Sequence, residues 1–288
     1  MLPSSRIGEE LVRDRESVDK CTLPRSSIES QSGDIHEEKA NPMNITGNTV
    51  FIPGATSGIG LALAVALKGA GNTVIVGGRR TELLEQIERE HGIAGIAIDT
   101  ADAASIADAS AEVQRRYPAI NVLITMAGIM LPENYRTAGF LDVAEATIAT
   151  NLLGPIRLIA AFSEHLAAQP NATIMTVSSG LAYVPLPATP TYSATKAAIH
   201  SLSDALRVQF AEPGIQVIEL APPLVRTALM GSQDNPHGMP LDEFIAEVMG
   251  LLEADPEAKQ ILVQRVHRQR FAVENGTYDE VLASQSQI

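Results

Sequence analysis

The sequence predicts an α/β protein: a single doubly wound parallel sheet of about seven strands with helices on both faces. Three observations carry that expectation. From Thr49 onward, short β-branched runs alternate with longer helical patterns, the rhythm of parallel strands joined by crossover helices. The runs around Val74-Ile75-Val76, Val122-Leu123-Ile124 and Ile174-Met175-Thr176-Val177 are near-continuously apolar rather than alternating, as strands covered on both faces are. A glycine-rich turn follows the first strand and opens the first helix.

Strands are expected at 49–52, 73–76, 94–98, 122–125, 173–177, 216–220 and 260–263, and helices at 59–68, 82–90, 103–116, 140–168, 192–211 and 241–252. The first strand runs into Gly54-Ala55-Thr56-Ser57-Gly58-Ile59-Gly60. Gly54 permits a tight turn, Gly58 lets backbone approach a pyrophosphate, and Gly60 allows close helix packing. The helix start then offers unpaired amides and a positive dipole end to phosphate. The spacing is GxxxGxG, not GxGxxG, and its place on the first βα unit makes the sheet Rossmann-like.

The second strand ends in Gly77-Gly78-Arg79-Arg80. An NAD-preferring site needs a carboxylate here for the ribose diol, and Gly78 supplies none. The Arg79 guanidinium suits a 2′-phosphate; the alternative is a solvated arginine pair opening a helix. NADP(H) is therefore the expected preference, with NAD(H) possible. Asp99, ending the third strand, is read either as an acceptor for the adenine amino group or as a turn or N-cap aspartate.

Chemistry points to Val177-Ser178-Ser179 and Tyr192-Ser193-Ala194-Thr195-Lys196. A four-residue step stacks Tyr192 and Lys196 on one helix face. An ammonium near a phenol favours the phenolate, so Lys196 is expected to lower the Tyr192 pKa toward working pH. Ser178 and Ser179 compete for the strand end; the thirteen-residue step to Tyr192 favours Ser179. Residues 222–240 form the longest irregular stretch and follow a strand, the position of a lid over the crevice.

The net charge of −13 argues against a nucleic-acid groove or an anionic membrane surface. Cys21 is the only cysteine, which excludes an internal disulfide and fits a reducing, cytoplasmic setting. The histidines at 36, 91, 165, 200, 237 and 267 show no metal-ligand spacing and are read as ordinary residues. No run of about 18 apolar residues is seen, so no membrane insertion is expected. Residues 1–42 hold six Lys/Arg and nine Asp/Glu, net −3, leaving −10 for the rest. They are expected to be a disordered leader that is neither a secretory signal nor a transit peptide. The domain is placed at 43–288, with Met43 a candidate natural start.

GATSGIG, Asn151, SS-(x)12-YSATK and the late Pro-x-x-Val-x-Thr together resemble the short-chain dehydrogenase/reductase family over about residues 43–230. The later ELAPPLVRT, MPLDEFIAEVM and RFAVENGTYDEVL resemble a subgroup of bacterial oxidoreductases named for a D-alanylation locus. The resemblance implies a tetrad. Asn151 would hold a water that relays protons to the lysine, and Ser179 would hydrogen-bond the substrate carbonyl. Tyr192 would act as general acid in reduction or base in oxidation, and Lys196 would bind the nicotinamide ribose. It also implies that Gly54, Thr56, Ser57 and Ile59 line the pyrophosphate and Asp99 meets adenine. Ala127 and Gly128 would run beside the adenine ribose, and Pro222, Val225 and Thr227 would contact the nicotinamide amide.

Three positions depart from the family pattern. Pro53 stands where threonine is usual and removes a backbone N–H. Thr125-Met126-Ala127-Gly128 replaces Asn-Asn-Ala-Gly, where the asparagines tie neighbouring strands; threonine replaces part of that bonding and methionine none. Pro223 replaces glycine and stiffens the start of the lid.

The expected function is NADP(H)-dependent transfer of a hydride between nicotinamide and a small-molecule carbonyl or alcohol. The alternative is a non-catalytic dinucleotide sensor or scaffold on the same fold, motivated by Pro53 and the TMAG run. Residues 129–136, 180–190 and 222–240 are expected to build a mainly apolar substrate pocket from Met130, Leu131, Leu181, Tyr183, Leu186, Leu229 and Met230. The resemblance also implies a homodimer or homotetramer formed through the helices at 140–168 and 192–211, whose apolar and small residues lie on more than one face.

Overall fold

The structure, a computed structural model, describes residues 44–285. The expectations about residues 1–42 and Met43 lie outside the described residues. Seven strands, β1 (Thr49–Pro53), β2 (Thr73–Gly78), β3 (Ala94–Ala97), β4 (Val122–Thr125), β5 (Thr173–Val177), β6 (Gln216–Leu220) and β7 (Gln260–Ile261), form one sheet. Its order is β3-β2-β1-β4-β5-β6-β7 and every pairing is parallel. The chain winds outward from β1 to β3, then crosses back to β4. Between the carboxyl ends of β1 and β4 lies the switch point where such sheets open a crevice.

The helices are α1 (Gly58–Gly69), α2 (Thr81–His91), α3 (Ala103–Arg116), α4 (Leu141–Ile148), α5 (Gly154–Ala167), α6 (Pro190–Gln209), α7 (Leu241–Ala254), α8 (His267–Arg270) and α9 (Tyr278–Gln285). Side-chain alternation along each strand divides the core into two layers. Val50, Ile52, Val122 and Ile124 pack with Leu63 and Leu67 of α1, Leu84 of α2 and Phe244 and Val248 of α7. Phe51, Leu123 and Ile174 face the other way, onto Val113 of α3, Leu158 and Phe162 of α5 and Leu206 of α6. Full burial of a side chain such as Leu or Phe is worth about 1.5–3 kcal/mol, so these layers hold both helix sets against the sheet.

The amino ends of the central strands are closed by three buried asparagines. Asn72 Oδ1 accepts from the Asn48 amide at 2.9 Å, and Asn72 Nδ2 donates to the Leu67 carbonyl at 2.7 Å. Asn121 Nδ2 donates to Asn48 Oδ1 at 2.9 Å, and Asn121 Oδ1 accepts from the Thr49 amide at 2.9 Å.

Several expected boundaries change. The helix expected at 140–168 is three pieces: α4, a π-helical turn at Ala149–Leu153, and α5. Pro155 explains the break. It has no N–H to give the carbonyl four residues back, at Asn151, and its ring crowds that carbonyl. The ladder widens instead, and the Gly154 amide reaches the Ala149 carbonyl. The strand expected at 260–263 pairs only over Gln260–Ile261, and that expected at 94–98 ends at Ala97. The helix expected at 192–211 begins at Pro190, suited to a first turn where no N–H is needed, and ends at Gln209. Neither α8 nor α9 was expected. The segment Ala138–Ala167 is long and apolar enough to cross a membrane by length and composition, although Asp142, Glu145, Asn151, Arg157 and Glu164 interrupt its apolar run. It is the crossover from β4 to β5, and it buries Asn151 together with the apolar face of α5.

Candidate active site

The glycine turn closes as its sequence predicts. Gly54 has φ +90°, and a Cβ there would lie 2.4 Å from Ala127 Cα, so the backbones after β1 and β4 meet at a distance only glycine permits. Gly60 would place a Cβ 2.9 Å from Ala55 Cα, which lets α1 pack directly on the turn. Pro53 is tolerated because the β1–β4 pairing ends at Phe51–Leu123, before the missing N–H matters. On the other side the Gly54 amide bonds the Gly77 carbonyl at 2.8 Å.

A cavity of about 940 Å³ opens at the carboxyl ends of the strands. Of the expected residues it is lined by Gly54, Ser57, Gly58, Ile59, Gly60, Gly128, Ser179, Tyr192, Lys196, Pro222, Val225 and Thr227. The Ser57 side chain does not cap α1, so the amides of its first turn meet the cavity without that acceptor. With the helix dipole, they fit a pyrophosphate. Arg80, not Arg79, lines the cavity, and its Nη2 donates to Thr56 Oγ1 at 3.2 Å. Arg79 is exposed beside it. A Cβ on Gly78 would lie 2.3 Å from Thr56 Cγ2, so Thr56 occupies the space an acidic side chain would enter. Asp99 sits beyond the end of β3, where Oδ1 accepts from the Ala101 amide at 3.0 Å.

Ser179, Tyr192, Lys196 and Asn151 are brought together and all are buried. Ser179 starts a short turn, Gly180–Ala182, and its Oγ accepts from the Leu181 amide at 3.1 Å. Lys196 Nζ donates to the Val177 carbonyl at 2.8 Å and stands 5.5 Å from the Tyr192 ring centroid. Asn151 Oδ1 accepts from the Ile129 amide and Nδ2 donates to the Ile129 carbonyl, each at 2.8 Å. The side chain therefore pins the loop after β4.

The expected lowering of the Tyr192 pKa is not found. Burial pushes the phenol up to about 12, against an opposing hydrogen bond from Ser179. Burial also pulls Lys196 down to about 8. At 5.5 Å from the ring centroid, the ammonium does not offset the burial of the phenol.

Two contributions were not anticipated. Glu133 Oε2 accepts from the Thr191 amide at 2.8 Å, capping α6 just ahead of Tyr192 from the loop after β4. The cavity wall extends to Arg265, Arg268, Gln269, Val281 and Gln285, so α8, α9 and the turn before α8 shape it. Only the RFAVENGTYDEVL resemblance signalled that this stretch matters. Tyr183, expected in the pocket, instead bonds Glu219 at 3.2 Å behind the site. The expected strand tie at Thr125 is also missing: its Oγ1 is buried with no partner among the described residues.

A doubly wound parallel sheet with a glycine turn and a buried Ser-Tyr-Lys-Asn group at its switch point defines a dinucleotide-binding α/β protein. A family model for short chain dehydrogenases matches residues 48–237. "Uncharacterized oxidoreductase DltE" of Bacillus subtilis is 37% identical over 83% of this chain and 96% of its own length. "Dehydrogenase/reductase SDR family member 7B" of Mus musculus is 30% identical over 62% of this chain, which spans 58% of that protein. Among solved structures, a short chain dehydrogenase from Burkholderia cenocepacia in complex with NADP is 26% identical, with a TM-score of 0.71 over 83% of this chain and 99% of that one. A gluconate 5-dehydrogenase from the same organism, with NADP and tartrate, is 26% identical, with a TM-score of 0.67 over 75% and 93%. The chain belongs to the short-chain dehydrogenase/reductase family of oxidoreductases.

Proposed function

We propose that the chain is an NADP(H)-dependent carbonyl reductase, working as an alcohol dehydrogenase in reverse, with Ser179, Tyr192, Lys196 and Asn151 as its tetrad. One observation carries this reading: the buried Ser179–Tyr192–Lys196 row and the uncapped start of α1 line the same cavity. The turn of Gly54, Thr56, Ser57, Gly58 and Ile59 would hold the pyrophosphate, with Arg79 and Arg80 at the 2′-phosphate. Lys196 would hold the nicotinamide ribose. Gly128 would flank the cofactor from β4, and Pro222, Val225 and Thr227 from β6. Bound NADPH would supply the hydride.

Ser179 Oγ holds the substrate carbonyl by donating to its oxygen. The Tyr192 hydroxyl donates a second hydrogen bond and passes its proton as charge gathers on that oxygen. With its pKa pushed up to about 12 by burial, Tyr192 carries its proton at neutral pH, as the donor role in reduction requires. Residues 222–240 would cover the substrate, Met130, Leu181, Leu186, Leu229 and Met230 giving it a mainly apolar wall. The same reading includes a cytoplasmic setting and a homodimer or homotetramer. Leu141, Ile148, Leu153 and Ile156, each at least 39% exposed along α4 and α5, support the latter.

The test is calorimetric titration with NADPH and NADH, followed by NADPH consumption with an activated ketone by wild type and Tyr192→Phe. The expected result is NADPH preference and turnover lost in the variant with binding kept. Binding without turnover by the wild type would favour a sensor; unchanged turnover in Tyr192→Phe would sink the tetrad assignment.

A further inference from the structure

Behind the catalytic row lies a buried carboxylate with no part in the steps above. Glu219, on β6, is 0% exposed. Ser178 Oγ donates to its Oε1 at 2.5 Å and the Tyr183 hydroxyl at 3.2 Å. Gln260 Nε2 donates to Oε2 at 2.6 Å. His200 Nδ1 lies 3.1 and 2.9 Å from the two oxygens, and Arg207 Nη2 is 3.8 Å from Oε2. Arg270 stacks over the Tyr183 ring at 5.0 Å and donates to Gln260 Oε1 at 3.3 Å.

A buried carboxylate is costly unless every lone pair is used, and a well-packed apolar group often serves stability as well or better. The destinations of these bonds therefore matter more than their number. Ser178 directly precedes Ser179, and Tyr183 follows the short turn that Ser179 begins. One oxygen thus holds both ends of the segment that carries Ser179. His200 lies one helical turn beyond Lys196 and two beyond Tyr192, on the same face of α6. The same carboxylate therefore ties the serine segment to the helix bearing the other two groups.

We propose that Glu219 is a positioning residue for the reaction: paired with His200, it fixes Ser179 against Tyr192 and Lys196. The role rests on the oxidoreductase reading above. Charge sets its pH window. The hydrogen bond to Glu219 raises His200, against burial; Glu219 and Asp204 add to the rise and Arg270 opposes it. Burial pushes Glu219 up, but bonds from His200, Ser178 and Gln260 outweigh it and hold the group below its ordinary value. Burial and Glu219 keep the Tyr183 phenol protonated. The pair is lost as pH rises through the raised His200 value, or as it falls through the depressed Glu219 value.

The test compares wild type, Glu219→Gln, His200→Gln and Tyr183→Phe for ketone reduction across pH. It adds NADPH titration, thermal melting and the NMR titration of the His200 ring. In Glu219→Gln, kcat is expected to fall about 10- to 100-fold, the loss associated with small misplacements of catalytic groups. NADPH affinity and the KM for ketone stay near wild type. The His200 titration returns toward the ordinary imidazole value, and His200→Gln loses the alkaline limb of the wild-type profile. Wild-type kcat and pH profile in a folded Glu219→Gln would overturn the positioning role alone. If Glu219→Gln does not fold, Tyr183→Phe and His200→Gln decide: wild-type kcat in the first and an unchanged alkaline limb in the second overturn it. A wild type that binds NADPH and reduces no ketone overturns the oxidoreductase reading, and this role with it.

Discussion

Asn151 grips Ile129 by both backbone groups, accepting from its amide and donating to its carbonyl at 2.8 Å each. The contact joins the π turn between α4 and α5 to the loop after β4, across the floor of the cleft. Asn151→Ala leaves two part-buried backbone groups of Ile129 without this partner, at about 1 kcal/mol each, the low end for a lost hydrogen-bond partner. In a domain of this size each kcal/mol lowers the melting temperature by about 2–4 °C. A loss of roughly 4–8 °C is therefore expected in a thermal melt. A melt within a degree of wild type would show that the loop holds without the asparagine.

A Cβ on Gly78 would strike Thr56 Cγ2, so the two positions are expected to act on cofactor choice together. Gly78→Asp alone is expected to weaken NADPH and NADH alike. Adding Thr56→Ser removes the obstructing methyl and should recover NADH by about tenfold, or 1.4 kcal/mol, while NADPH stays weak. Arg79→Ala is expected to weaken NADPH far more than NADH. Calorimetric titration reads all three variants; equal weakening of both cofactors by Arg79→Ala would remove Arg79 from the 2′-phosphate.

Lys196 gives the cofactor-free protein an unusual dependence on pH. Its pKa falls from 10.5 to about 8 on folding, through burial. Between those values the unfolded chain binds more protons, so stability rises with pH and the cost of the buried charge fades. Tyr192 acts oppositely: its value rises from 10.0 to about 12, so its contribution to stability declines above pH 10. The melting temperature of wild type relative to Lys196→Met should climb from pH 8 to pH 10. A flat difference would mean that the ammonium stays solvated.

Thr125 Oγ1 is buried without a partner among the described residues. Thr125→Val keeps the shape and removes the orphan hydroxyl. It is expected to be neutral or stabilising by about 1 kcal/mol, read as an equal or higher midpoint in urea. A clear loss of stability would show that the hydroxyl has a bond not evident in the fold.

The sheet and most of its helices were legible because period and turn chemistry are local. Gly54, the apolar runs of β1, β4 and β5, and the Tyr192–Lys196 step all announce themselves within a few residues. The break at Asn151 was legible in principle from Pro155, but apolar spacing runs unbroken across it. The Tyr192 pKa was misjudged because burial is a property of the whole fold and outweighs a neighbour's charge. Glu133, Glu219 and His200 were not read as special because their partners lie 58, 41 and 19 residues away. No local pattern marks a carboxylate that will meet a distant amide.

The cleft is built from two stretches of chain. The match to the family ends at residue 237, but the cavity wall continues through Arg265 and Val281 to Gln285. The stretch before that limit holds Ser179, Tyr192, Lys196, Asn151 and the glycine turn; the stretch after it shapes the open side. Grafting another relative's last fifty or so residues onto this chain is therefore expected to reshape the open side of the cavity, provided that the contacts from Gln260 and Arg270 to the Glu219–Tyr183 group are kept.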